Sequence, residues 1–362
     1  METVIIGVVV SFCAGAFAAA LGAVGAVTLT GLAAFVALLV APGQAGHVDF
    51  LGVYAFGLYL GPHVSFGPAV AAAAYAGRRG YLEETGKNVL TPLISTGRVS
   101  PMVVGGLFGS LGYFLQRLFA DAFGSRVDSI ALTVTLICIM GKLFGRCGFG
   151  EIFARTPDEV KAAGGRYSVR SPAVWLSWQC TPPVLTMVGI FTGGLAGWIA
   201  WMMLQNPATA GLAIIPAWAI GVVTFFFFAS GLQIPVTHHV GMVAGLAVVQ
   251  SYAVTHSSIS ILWGIAFGIL GAFGGEFISR TINNFGHGYV DAPAAVIFVA
   301  SVVVNIPMKD LGLFHDRFVL PAVVIAAAVA YSLYISRNLA AAAGEAQNVH
   351  GGDVPDEVPA VG

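Results

Sequence analysis

Apolar residues run along most of this chain in stretches too long and too continuous for a half-wet helix or a strand. Candidate stretches lie at 3–22, 25–42, 49–77, 101–119 and 127–144, then at 183–204, 209–230, 234–254, 259–280, 290–306 and 318–336. A helix needs roughly 20 mostly apolar residues to cross a bilayer, so the pattern predicts an all-α polytopic membrane protein of about eleven transmembrane helices. The stretch 49–77 is too long for one straight span and is interrupted at Gly61-Pro62 and Gly67-Pro68. It predicts a discontinuous helix.

Charge sharpens this reading. Of 362 residues only 9% are charged, against 57% hydrophobic, and mean hydropathy is +0.86. A chain with so little polar surface is neither a water-soluble enzyme, nor a nucleic-acid binder, nor a disordered polymer. Residues 3–48 and 171–275 contain no Asp, Glu, Lys or Arg, whereas 78–98 and 142–170 carry 10 of the 16 basic residues. A charge at the bilayer centre is costly, and basic loops stay inside, so loops 78–98 and 142–170 are expected in the cytoplasm. The net charge of −1 discriminates no partner. The four cysteines have neither metal-ligand nor redox spacing and read as small buried residues. No cofactor or metal is expected.

The chain also resembles itself. Residues 105–114 and 264–273 share the pattern G-x-x-F-G-x-L-G-x-F, with six identities in ten. Val127-Asp128 and Val290-Asp291 follow each copy at similar distance, before an apolar helix. Upstream, Gly57-Leu58 and Gly67 match Gly231-Leu232 and Gly241 at one offset. Matches in this order predict two homologous halves, as in transporters and channels built from repeats. Five crossings per half would invert the second copy, which favours an inverted repeat with a C-terminal extra helix. It would also put loop 281–289 opposite loop 120–126. The expected organisation is a first membrane repeat at 1–155, a cytoplasmic linker at 156–182 with a candidate interfacial helix at 168–182, a second repeat at 183–310, an extra transmembrane helix at 311–337, and a disordered acidic tail at 338–362.

Each half has a break at a matching place, Tyr59-Leu-Gly-Pro-His-Val-Ser-Phe66 and Gln233-Ile-Pro-Val-Thr-His-His-Val240. Proline removes an N–H and clashes with the preceding turn, and backbone freed in a bilayer must be buried in protein or line a wet cavity. The expected pathway residues are therefore His63, Ser65, Thr237, His238 and His239, with Gly61, Pro62, Gly67, Pro68, Pro235 and Gly241 making the breaks and their packing. The bland alternative is a proline kink whose backbone is satisfied by the adjacent hydroxyls. Adjacent His238 and His239 point apart on a helix and do not chelate one ion. Asp128 and Asp291 read as helix N-caps or as coupling groups for H+ or Na+. Glu276 and Arg280, at i and i+4, read as an ion pair, structural or gating. Asn283, Asn284 and His287 could line a vestibule. Trp175, Trp178, Trp198, Trp201 and Trp218 fit membrane-interface or helix-facing positions, and Phe225 to Phe228 read as lipid-facing or core.

Without a nucleotide-binding signature, these features predict a non-enzymatic permease, a secondary transporter or channel-like facilitator. Its substrate would be a small polar, neutral or weakly charged solute, or an anion held by helix N-termini. A membrane-embedded enzyme and a non-transporting subunit of a larger complex are the other classes. The second would use small-residue faces such as Gly193/Gly197 as partner surfaces. Beyond bilayer and solute, a homo-oligomer is the expected partner; nucleic acid is not.

Overall fold

The computed structural model describes residues 2–40, 49–83, 85–146 and 152–350. Among them every regular element is helical. The long helices are α1 (Glu2–Leu21), α2 (Ala23–Val40), α3 (Phe66–Arg78), α4 (Ser100–Phe123) and α5 (Ser129–Arg146). A short α6 (Asp158–Ala162) precedes α7 (Pro182–Leu204), a one-turn α8 (Pro207–Ala210), and α9 (Ile215–Val223) with α10 (Phe225–Ala229). Then come α11 (His238–Thr255), α12 (Ile261–Ile278), α13 (Ala292–Val303) and α14 (Val319–His350). Six helices, α1, α2, α4, α7, α12 and α14, are long and apolar enough to cross a membrane, counting the turns that extend α4 and α12, and α14 over Val319–Leu339. Segments Ser129–Phe144, Ile215–Ala229 and Ala292–Met308 are apolar but shorter.

Glycine explains how such smooth helices pack. The most extensive pairs are α7 with α12 and α1 with α4, and both close on the glycines of the shared ten-residue pattern. A methyl built on Gly105 would fall 2.6 Å from the carbonyl of Gly15, and one on Gly193 2.5 Å from that of Gly264. Gly109 approaches Ser11, and Gly268 approaches Gly189 and Gly193, in the same fashion. Small residues let backbones meet where no hydrophobic effect drives helices together. Gly193 and Gly197 therefore face α12 and α11, inside the protein, and are not the partner surface that sequence suggested.

Helices α5 and α13 lie side by side and antiparallel. Near the start of α5 the Asp128 N–H donates to Ser301 Oγ at 2.9 Å, late in α13. Near the end of α5, Lys142 Nζ donates to the carbonyls of Ile282 (2.8 Å), Asn283 (3.3 Å) and Phe285 (2.5 Å), just before α13 begins. Lys142 was expected in a water-exposed loop; it is buried, because α5 extends beyond it and the carbonyls at the end of the α12 segment need donors. Segment 281–289 consequently shares one end of the bundle with the two basic loops. Arg166 Nη1 reaches Thr281 O at 3.2 Å, and Lys87 Nζ bonds Asn284 O at 2.5 Å.

Two other expectations change. Residues 168–181 form no helix. They make an irregular strap across the bundle, since Pro172 interrupts a helix and the strap's side chains turn inward: Gln179 Nε2 donates to Val236 O (3.2 Å), its Oε1 accepts from Val236 N (2.8 Å), and Trp178 Nε1 donates to Ile234 O (2.9 Å). Helix α14 continues to His350, past the 338 boundary where composition suggested a tail. Residues 351–362, like Cys147, lie outside the described residues.

Candidate functional site

A cavity of about 900 Å³ lies between residues 2–146 and 182–308, within the size range of small-molecule sites. Helix α2 supplies Val24 and Val27, the segment leading into α3 Phe56 and Pro62, α3 Phe66, and α5 Ile130, Ala131 and Val134. Facing them are Ile215 and Trp218 of α9, Phe225 and Phe228 of α10, Val236 and His238 at the second break, and Ala294 and Ile297 of α13. Loop residues 87–91 and strap residues 172–176 wall it at the end of the bundle that holds the basic loops.

Both breaks thus reach one cavity, and each is stabilised locally. In the first, Leu60 O accepts from Thr30 Oγ1 (2.7 Å) and Ser65 Oγ (2.8 Å), and Ser65 Oγ also donates to Gly61 O at 3.0 Å. Ser65 is fully buried and occupied with backbone, so it does what the bland reading assigned it. Gly67 packs on α5 near Val134 and Ile137, and Pro68 sits in the first turn of α3, where its missing N–H costs little. In the second break, Val236 is clipped by Gln179, Pro235 is exposed, and Thr237 immediately precedes α11 without a side-chain cap. Gly241 admits Ala217 of α9, with a methyl there falling 2.9 Å from the Ala217 Cβ.

The three expected pathway histidines separate. His238 lines the cavity, with its ring edge-on to Phe225 at 5.2 Å. His63 and His239 are buried outside its lining, His239 against the Trp175 and His238 rings at 5.8 and 5.3 Å. Among the described side chains, the buried nitrogen and oxygen atoms without a hydrogen-bond partner are His63 Nδ1, His238 Nδ1, both ring nitrogens of His239, and Thr192 Oγ1. Polar atoms stranded in this way are uncommon in folded proteins. All but one lie at the two breaks.

Asp128 and Asp291 both cap a helix and both line the cavity. Asp128 Oδ1 accepts from Ala131 N, and Asp291 Oδ2 from Ala294 N, each at 2.8 Å. Tyr289 Oη adds a long bond to Asp291 Oδ1 at 3.4 Å. At a rise of 1.5 Å per residue, the stretch of α13 between Asp291 and Ser301, which touches Asp128, puts the two caps roughly 15 Å apart.

Glu276 and Arg280 form a buried ion pair at 2.6 Å away from the cavity lining. Arg280 Nη1 also donates to Arg166 O (3.1 Å) and Ser168 O (2.6 Å), so the pair fastens the strap to α12. Sequence missed Lys87, Asn88, Thr91, Trp175 and Tyr289, all in the cavity wall; Asn283 and Asn284 join them there, whereas His287 does not. The missed residues sit on loops, or just before a helix, where no periodicity marks a buried side. Trp218, like Trp175 read as membrane-interface or helix-facing, also lines it. The phenylalanine run divides: Phe225 and Phe228 face the cavity, while Phe226 and Phe227 point outward. Among the described residues no cluster of three or more His, Cys, Asp or Glu could hold a metal ion.

An all-helical protein with six helices long and apolar enough to cross a membrane, and a central cavity reached by two helix breaks, is the class these observations define. The chain belongs to a family of unknown function, DUF7973, which it matches over residues 1–323. Neither a curated protein nor a solved structure shows significant similarity to it.

Proposed function

We propose that this chain is a membrane permease built as an inverted repeat, with the cavity as its substrate pathway. The carrying observation is that the cavity takes its walls from both copies at corresponding places. Ala131 and Ala294 both line it, each three residues after its capping aspartate, and Pro62 and His238 bring the two breaks to it. The antiparallel contact of α5 with α13 supports inversion, because a two-fold axis that relates antiparallel helices lies across them, in the membrane plane. The shared end of the bundle held by 281–289 and the basic loops supports it too, and the positive-inside tendency assigns that end to the cytoplasm. With α3 and α11 entered through breaks, this reading counts five crossings per copy and α14 as the eleventh.

Paired rather than clustered polar groups favour passage over catalysis. An anion is the less favoured cargo. At the cavity, the N-termini of α5 and α13 are already occupied by their own carboxyl groups, which take amides an anion would use.

The test is solute flux into proteoliposomes, compared between the wild type and two plugs, Ala131→Trp and Ala294→Trp. Leu195→Trp, on an exposed face of α7, is the control. Both plugs should stop a flux that the control leaves intact. Flux equal to that of protein-free liposomes for every solute, or flux indifferent to both plugs, would sink the proposal.

A further inference from the structure

We infer that the cavity selects an organic cation with an apolar, ring-sized body, an assignment that rests on the permease reading and narrows its substrate. Six phenylalanine and tryptophan side chains, Phe56, Phe66, Trp175, Trp218, Phe225 and Phe228, form much of its wall. Phe56 and Trp218 lie 5.1 Å apart from the two sides, and Phe225 and Phe228 6.4 Å apart on one turn. The face of an aromatic ring carries negative potential and attracts a desolvated cation while repelling an anion.

The polar groups point the same way. Asp128 and Asp291 bring acidic oxygens to the cavity about 15 Å apart along α13. Asp128 caps its helix through Oδ1, and its carboxyl group stands in the cavity wall where a cation would meet it. The basic side chain in the wall, Lys87, spends a hydrogen bond on the Asn284 carbonyl at the loop end. His238 adds an independent sign that something polar enters here. It is more than nine-tenths buried, lines the cavity, and its Nδ1 has no protein partner. An ammonium or phosphonium with apolar substituents satisfies both walls at once, its substituents on the rings and its charge toward a carboxyl group. A purely polar solute would leave the rings facing it dry, and an apolar neutral one would strand the acidic oxygens.

The probes are tetraphenylphosphonium and tetraphenylborate, which share shape and differ in sign of charge. Their binding to the purified full chain in detergent is measured by equilibrium dialysis, beside an Asp128→Asn/Asp291→Asn double variant. Asparagine caps helices as well as aspartate does, so this variant removes acidity and keeps the fold, which an unchanged Tm verifies. The phosphonium should bind saturably, the borate should not displace it, and the double variant should bind at least about tenfold more weakly, a loss of one decade in Kd. Equal or tighter binding of the borate, phosphonium binding indifferent to the double variant, or no binding of either ion overturns the inference. If phosphonium fails while a flux blocked by Ala131→Trp persists, the substrate class falls and the permease stands. If phosphonium binds and no flux is found for any solute, the permease falls and the cation site stands.

Discussion

Lys142 on α5 and Asn305 in the turn that continues α13 stand equally many residues beyond the capping aspartates, and each donates to backbone carbonyls of the segment that precedes the other helix. Lys142 Nζ takes Ile282, Asn283 and Phe285; Asn305 Nδ2 takes Ser125 at 3.2 Å and Arg126 at 3.4 Å. The two ends of the α5/α13 pair are closed by one device in two chemistries. The end with Lys142 is buried and charge-assisted, and the end with Asn305 is short of both properties.

That difference gives the first prediction. Lys142→Met removes three bonds and leaves buried carbonyls without donors, so it should cost about 3 kcal/mol, as for hydrogen bonds to a charged group. Asn305→Ala, at an end open to solvent, should cost less than about 1 kcal/mol. Thermal unfolding in one detergent measures both. An equal effect of the two would show that burial of the lysine is not what fastens its end.

Packing of α7 on α12 gives the second. A methyl on Gly268 would lie 2.7 Å from the Gly193 Cα and 2.5 Å from Gly189 O, with no flexible side chain to move aside. Gly268→Ala should therefore destabilise by about 1–3 kcal/mol through overpacking. Gly194→Ala, in the facing helix, meets only Ile265 Cγ1 at 3.8 Å and should be neutral or gain up to about 1 kcal/mol from helix propensity. A lowered Tm for Gly268→Ala beside an unchanged or raised Tm for Gly194→Ala is the expected result of a paired melting experiment.

The buried pair predicts a change in the strap. Arg280→Met leaves Glu276 without its partner and releases the carbonyls of Arg166 and Ser168. Breaking a buried pair from one side costs about 3–5 kcal/mol, and the bonds to the strap are lost with it. Limited proteolysis should cut the variant faster near 164–168 than the wild type. An unchanged cleavage pattern would mean that Arg166 alone secures the strap.

Sidedness is testable without any substrate. In a background lacking Cys13, Cys138, Cys147 and Cys180, Ser125→Cys and His287→Cys each place a thiol on an exposed loop position. A membrane-impermeant thiol reagent should reach the first from one face of sealed vesicles and the second from the other, with His287→Cys agreeing with a cysteine in loop 78–98. Labelling of both from the same face would remove the inverted arrangement.

Much of this molecule could be read before folding. Its apolar runs are long because a bilayer-spanning helix satisfies its own backbone, so runs at 3–22, 25–42 and 183–204 correspond closely to α1, α2 and α7. The shared glycine pattern marked a repeated close approach, since only small residues let backbones touch. Val-Asp before an apolar run marked two caps, both formed. Proline in an apolar run marked two breaks, because no tertiary contact restores the N–H that proline lacks.

Which side chains those breaks present was decided elsewhere. Of His63, Ser65, Thr237, His238 and His239, His238 alone reaches the cavity lining, since which way each residue turns depends on where helices α5 and α9 press against the break. Lys142 looked like a loop residue, because sequence displays a charge but not the carbonyls that surround it. Trp175, Tyr289 and Lys87 entered the wall from irregular segments, whose conformation is set by partners such as the Asn284 carbonyl for Lys87 and the α12 ion pair that anchors the strap. Local chemistry determined the helices, their caps and their interruptions, whose causes lie within a few residues of each other. The cavity is assembled from residues more than a hundred positions apart, and only the packing of distant helices such as α2 against α9 could decide its walls.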